Sequence, residues 1–320
     1  MKSYYFIIIA LFGIMLQSCV KDPLKDITDG GWNHERGVMD IKFQNQIGKP
    51  IIVNTDATTG TINVVLNLYS PIDLSKVKVE SLLPSYQANS SVKAGETLNF
   101  DNASKTATLA ITSTMGETRT YKVSYTKFEE SLLGTWDIDK LVVYGGTGGA
   151  YGGTAVFDML TKAWCWSADT GPAVEYDNYL TFTLDSISQA GNSYGKVENN
   201  AGPDGKSANF VFLGTSNPEN ADVDVDVNIF YRKIPKGKSI WKRDYSKGTV
   251  EFTDIATKMT YVMEFLGAKT ESLPDNKKME ITTNAFACNL KGVDDWKNIY
   301  KDYDKFVKNP RRYWITVTKR

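Results

Sequence analysis

The chain has 320 residues, with 37 Lys and Arg against 37 Asp and Glu, a formal net charge of zero and one histidine. That balance offers no electrostatic case for nucleic acid or for a strongly anionic partner. The single histidine, His34, excludes His-dependent triads and multi-His metal centres in the rest of the chain.

Lys2 precedes an apolar run, Tyr4 to Leu16, that is too short to span a bilayer and reads as a secretion signal rather than a membrane helix. The run ends in Leu16-Gln17-Ser18-Cys19, which resembles the bacterial lipobox. The resemblance implies that residues 1–18 are a lipoprotein signal peptide, that Cys19 carries the lipid, and that the mature protein is an exported, outer-membrane-anchored lipoprotein. Losing Lys2 leaves 36 cations against 37 anions, a side-chain charge of −1. Residues 19–32, with Pro23 and Asp29-Gly30-Gly31, read as a lipidated tether. Its start, Cys19-Val20-Lys21-Asp22, is similar to that of surface-exposed lipoproteins in Bacteroidota, which implies cell-surface exposure.

From residue 33 to 128 the apolar period is two. Ile41 and Phe43 alternate, as do Ile62, Val64, Leu66 and Leu68, then Val77 and Val79, then Ala107, Leu109 and Ile111, then Tyr121, Val123 and Tyr125. Such spacing puts each set on one sheet face and leaves Asn63, Asn67, Thr108 and Lys122 to solvent. Turn residues separate the runs, so the segment reads as a β-sandwich. Pro71-Ile72-Asp73-Leu74-Ser75, Gly95 to Asp101 and Gly116 to Val123 resemble the immunoglobulin-like domains of Bacteroidota surface lipoproteins. By that resemblance this domain is a spacer.

Residues 131–320 form the second predicted domain. Its opening, Leu132-Leu133-Gly134-Thr135-Trp136, resembles the Gly-x-Trp entry of lipocalins, in which the Trp plugs one end of a β-barrel. Alternating runs follow around Leu180–Leu184, Phe210–Phe212, Val223–Ile229, Val250–Phe252, Tyr261–Phe265 and Tyr313–Val317, enough for a barrel or a second sandwich. Near the end, Trp296, Ile299, Tyr300, Tyr303, Phe306 and Val307 recur at helical spacing, with Asp294 or Asp295 as cap and Asn309-Pro310 as stop. One helix packing its aromatics on the barrel is expected there. The fold class is therefore all-β with one C-terminal helix.

Chemistry is sparse. Cys165 and Cys288 read as separately buried thiols, with pairing left open. Gly145 to Gly153 has neither a dinucleotide-binding spacing nor a Walker lysine, and reads as a mobile loop with Tyr144 and Tyr151 at its edges. Asp222-Val223-Asp224-Val225-Asp226-Val227 begins like an EF-hand, but Val227 replaces the glycine and Lys233 the closing acid. Strict alternation gives a strand with valines inward and carboxylates about 6.6–7 Å apart outside. Preceded by Asn217-Pro218-Glu219-Asn220, the row leaves open a Ca²⁺ site shared with a neighbouring loop; no other metal, cofactor or catalytic residue is implied.

The aromatics carry the functional expectation. Trp164 and Trp166 on a strand would share a face about 7 Å apart, with Tyr176 and Tyr179 following the Gly171-Pro172 turn among Asp169, Glu175 and Asp177. Flat rings beside carboxylates suit pyranose sugars, and Trp241 beside Lys242 and Arg243 is a further candidate. Filling of the core is the competing role for these rings. The whole layout resembles accessory surface lipoproteins of Bacteroidota nutrient-uptake systems, which sit beside a TonB-dependent transporter and its lid lipoprotein. That resemblance implies non-catalytic capture of a glycan or other nutrient. A small apolar ligand or lipid in the barrel, or an adhesive role beside a membrane complex, are the alternatives.

Overall fold

A computed structural model describes residues 31–216 and 222–320. The signal segment, Cys19 and most of the tether lie outside the described residues. Internal contacts divide the chain into two units, the first ending at Phe128 and the second running from Glu129 to Arg320.

The first unit holds β1 (Val38–Phe43), β2 (Gln46–Asn54), β3 (Thr59–Leu66), β4 (Val77–Pro84), β5 (Asn89–Ser90), β6 (Thr97–Leu98), β7 (Thr106–Thr112) and β8 (Thr118–Lys127). They make two sheets, ordered β1-β4-β6 and β2-β3-β8-β7-β5, in which β3 and β8 run parallel with Ile62 opposite Val123. The alternating residues are what bury: Ile41, Phe43, Val77 and Val79 from one sheet meet Ile62, Val64, Leu66, Leu109, Ile111, Tyr121 and Val123 from the other. Tyr121 needs Gly60 beside it, since a Cβ there would lie 2.5 Å from the ring. Asn67 departs from the expected pattern and is buried. Its side chain accepts from Tyr69 N–H at 2.9 Å and donates to Ser70 Oγ at 3.2 Å, so it organises the turn after β3 instead of facing water.

The second unit is a closed eight-stranded barrel. Its strands are β9 (Gly134–Gly145), β11 (Tyr179–Ile187), β12 (Ser193–Asn200), β15 (Gly237–Asp244), β16 (Thr249–Asp254), β17 (Thr260–Leu266), β20 (Asn284–Asn289) and β21 (Pro310–Lys319), all antiparallel neighbours, with β21 returning to β9. Additional short strands are β10 (Ala155–Asp158), β13 (Val211–Phe212), β14 (Val225–Asp226), β18 (Lys269–Ser272) and β19 (Lys278–Ile281). The first half of β9 pairs with β11 and its second half with β10.

Asp139 is one extra residue in β9 opposite Thr316 and Val317, and this bulge changes which residues face inward. Trp136 and Ile138 point into the barrel before it, Leu141 and Val143 after it. Leu180, Phe182, Val197, Trp241, Val250, Phe252, Met263, Phe286, Tyr313, Ile315 and Val317 complete the filling. Trp136 closes the barrel end at which β9 starts. Its Nε1 donates to Leu132 O at 2.7 Å and its ring meets Phe265 edge to face at 5.6 Å.

Outside the barrel, the β18–β19 hairpin covers a smaller core of Val142, Tyr144, Ala285, Ala287 and Trp314. Glu271 anchors it, accepting from Trp314 Nε1 at 2.7 Å and from Arg312 at 3.0 Å.

The expected C-terminal helix is replaced by a 3-10 turn, Trp296–Asn298, and a π turn, Asp304–Lys308. Tertiary hydrogen bonds override the helical period. Thr147 donates to Asp304 through both N (2.7 Å) and Oγ1 (2.9 Å), and Asn309 Nδ2 reaches Gly146 O at 3.0 Å. As a result Tyr303 and Phe306 are buried while Trp296 and Tyr300 face water.

Candidate functional site

Antiparallel connectivity sends the long connections, residues 146–154, 159–178, 201–236 and 290–309, to the same end of the barrel. They do not leave it open. Trp166 meets Phe306 at 5.4 Å and Phe212 at 5.7 Å, and Tyr231 meets Tyr313 at 5.3 Å, all edge to face. Below this aromatic cap the interior retains a cavity of about 10 Å³ beside Glu175, Asn199, Arg232 and Tyr313. That is room for a water molecule. Glu175 there pairs with Arg232 at 2.6 Å and accepts from Ala208 N–H at 2.7 Å.

The predicted aromatic site is rearranged at this end. Trp164 and Trp166 are not on a strand: the segment Met159–Cys165 forms 3-10 turns with a kink at Lys162, begun by Asp158, whose carboxylate accepts from Leu160 N–H at 3.1 Å. The two rings consequently take opposite environments. Trp164 is 60% exposed, whereas Trp166 is 4% exposed and packed under the cap. Between the turns lies a cleft of about 190 Å³ lined by Met159, Leu160, Ala163, Trp166, Ser167, Ala168, Pro172 and Ala173. Lys162 Nζ stands 5.0 Å from the Trp164 ring and pairs with Asp302 at 3.0 Å. A wider depression of about 380 Å³ lies on the outer wall among Thr181, Thr183, Lys196, Glu198, Lys238 and Ile255, with no aromatic lining.

The remaining predicted ligand residues do not join Trp164, and each is engaged by its own neighbours. Trp241 is fully buried inside the barrel, and its Nε1 is shared between Thr183 O at 3.0 Å and Lys196 O at 3.1 Å. Tyr176 is half-buried, donates to Asp158 and accepts from Leu141 N–H. Burial first, then the Asp158 carboxylate, pushes its hydroxyl far above the ordinary tyrosine range. Tyr179 opens β11, and the Arg320 guanidinium lies 4.3 Å from its ring centre.

Other sequence expectations also change. The glycine-rich loop is fastened, not mobile: buried Thr147 is held by Asp304, and Thr154 and Tyr144 hydroxyls donate to Asp275 at 3.0 and 3.2 Å. The aspartates do not form a row. Only Val225–Asp226 is strand, Asp224 accepts from Gly214 N–H at 2.8 Å, Asp226 caps the turn at Asn228, and Val223 is exposed. Among the described residues no group of three or more His, Cys, Asp or Glu is arranged to hold a metal.

Cys165 and Cys288 are free and buried. Burial pushes the Cys165 thiol up to about 12, with the Asp302 carboxylate adding to it, and Cys288 up to about 11. Neither thiol resembles an activated nucleophile.

Sequence reasoning missed a second exposed cluster, Tyr151, Trp296 and Tyr300, because the helical spacing of 296–307 placed two of its rings on a packed face. The presence of Tyr151 at the edge of the glycine-rich loop was the available signal.

No protein-family model matches the chain, and no curated protein matches it. Among solved structures, the crystal structure of a Bacteroides fragilis protein assigned as secreted is similar over 30% of this chain and 98% of its own. The identity is 12% and the TM-score 0.22, a likeness that carries no functional argument. Among the described residues no helix is long and apolar enough to cross a membrane.

Proposed function

We propose that this chain is a non-catalytic, lipid-anchored protein of the outer-membrane surface whose barrel captures a glycan or other nutrient and presents it to a TonB-dependent transporter. The observation that carries the reading is Trp164, an indole 60% exposed at the loop-bearing end of the barrel, on the segment that also supplies Met159, Leu160 and Ala163 to a cleft of about 190 Å³. A buried ring would belong to the core; this one is largely exposed, with Lys162 Nζ over it at 5.0 Å, on a turn fixed by Asp158 and by Ser216 Oγ, which donates to the Trp164 carbonyl at 2.7 Å. The negative face of an aromatic ring attracts the C–H bonds of a sugar, and a tether near a transporter lets weak individual contacts suffice.

The filled interior favours capture at this end over a lipocalin-type internal ligand.

The test is a glycan-array and affinity-gel screen of the unlipidated mature chain, residues 20–320, against its Trp164→Ala variant. Binding lost in the variant supports the reading, with an expected weakening of about tenfold or more. Binding that survives Trp164→Ala, or no binding to any glycan, removes it.

A further inference from the structure

Trp164 is one of two exposed aromatic surfaces at this end. The other consists of Tyr151, Trp296 and Tyr300, 68%, 59% and 69% exposed. The Tyr151 and Trp296 rings meet edge to face at 6.2 Å, and the Tyr300 hydroxyl donates to the Tyr151 carbonyl at 3.3 Å. These rings stand on a fixed base. Gly148 presses against the 296–299 segment so closely that a Cβ would lie 2.5 Å from Ile299 and 3.0 Å from Trp296. Asp295 N–H donates to Thr147 Oγ1 at 2.7 Å, and Asp304 holds the same threonine from the other side. Little ordering remains to be done when a ligand arrives.

The two surfaces are tied through one stretch of chain. Tyr300 and Asp302 are two residues apart, so their Cα atoms lie within about 7 Å. Asp302 holds Lys162 at 3.0 Å, and Lys162 stands over Trp164. We propose that Trp164 and the Tyr151–Trp296–Tyr300 cluster form one extended site for a neutral oligosaccharide chain, with several sugar units touching both ends. The proposal rests on the glycan reading above and adds the ligand's length and charge.

Two features select this occupant. Two carboxylates along the track are ion-paired, Asp302 with Lys162 and Asp294 with Arg311 at 3.4 Å, while Asp295 accepts from Asn298 Nδ2 at 2.7 Å and Asp275 from the Tyr144 and Thr154 hydroxyls. The acids here thus hold neutral donors or their own cations and suit hydroxyl partners over an ionic ligand. The Tyr151 and Trp296 rings cross at 73°, which makes a corner and not the broad apolar face that a protein interface buries. Two modest contacts on one chain reinforce each other because the second forms at high effective concentration.

The experiment is calorimetric titration of residues 20–320 with cello-, xylo-, manno- and malto-oligosaccharides from disaccharide to octasaccharide. In the matching series, affinity is expected to rise with length. Trp296→Ala and Tyr300→Ala are expected to remove about tenfold from the longest chains while leaving the shortest unchanged. Both side chains are exposed, and near-ultraviolet circular dichroism verifies that the fold survives. If Trp296→Ala leaves the length dependence intact while Trp164→Ala abolishes binding, the extended site is wrong and the glycan reading stands. If the unaltered protein binds no series, both fall. Self-association lost in Trp296→Ala without oligosaccharide binding would identify a protein contact and overturn both as well.

Discussion

Residues of one type divide sharply by position in this protein. Trp164, Trp166 and Trp241 share a side chain, yet one stands in water, one lies under the aromatic cap and one is fully buried in the barrel. Removing a buried tryptophan leaves a cavity the surroundings cannot close. Trp166→Ala and Trp241→Ala are therefore expected to cost about 3–5 kcal/mol each. Trp164→Ala should change stability by less than about 0.5 kcal/mol. Urea unfolding monitored by circular dichroism separates them; equal losses at all three positions would contradict this division. Gly153 makes the same point for the backbone, because a Cβ there would lie 1.9 Å from Thr147 O. Gly153→Ala should loosen the loop beneath Tyr151 and weaken any binding that depends on that ring, read as faster amide exchange across residues 146–154.

Elements show how neighbours decide conformation. The 294–308 segment has a helical apolar period, but Thr147, Gly146 and Asn309 offer hydrogen bonds that a regular helix would forgo, and two short turns result. The β18–β19 hairpin depends on Glu271. Burial opposes ionisation of that carboxyl, but hydrogen bonds from Trp314, Lys269 and Arg312 outweigh it and hold the group below its ordinary value. A carboxylate depressed in the folded state stabilises the fold above the unfolded value, and that contribution disappears as pH falls through the folded one. Hairpin docking should thus weaken as pH drops below about 4.5. Glu271→Gln, which keeps an acceptor for Trp314, should flatten this dependence. Unfolding midpoints measured across that acid range test it, and an unchanged pH profile in the variant would refute the role of Glu271.

At the scale of the whole molecule, the two units have separate cores, one around Phe43, Phe100 and Tyr121, the other around Trp166, Trp241 and Phe286. Residues 129–320 expressed alone are expected to unfold cooperatively with the barrel's midpoint unchanged within a few degrees. A molten product from that segment would show that the barrel needs its companion. If the proposed neutral glycan binds, its association should depend little on salt, since the ligand carries no charge to be screened.

Sequence alone was sufficient for what depends on period and local chemistry. Alternation at Ile62–Leu66, Leu109–Ile111 and Tyr121–Val123 specified buried sheet faces, because side chains in strands alternate by geometry. Gly134-x-Trp136 marked the strand start whose Trp closes the barrel. Trp164 was legible as an aromatic candidate, but not its exposure. Tertiary structure decided the rest: the bulge at Asp139 that reverses facing in β9, the splitting of Trp164 from Trp166, the fastening of the glycine-rich loop and the exposure of Trp296 and Tyr300. The bulge, the fastened loop and the 294–308 turns depend on partners more than a hundred residues away, and the Trp164–Trp166 split on a local turn capped by Asp158 together with the distant Phe306 ring; no local period records which hydrogen bond or ring will claim a side chain.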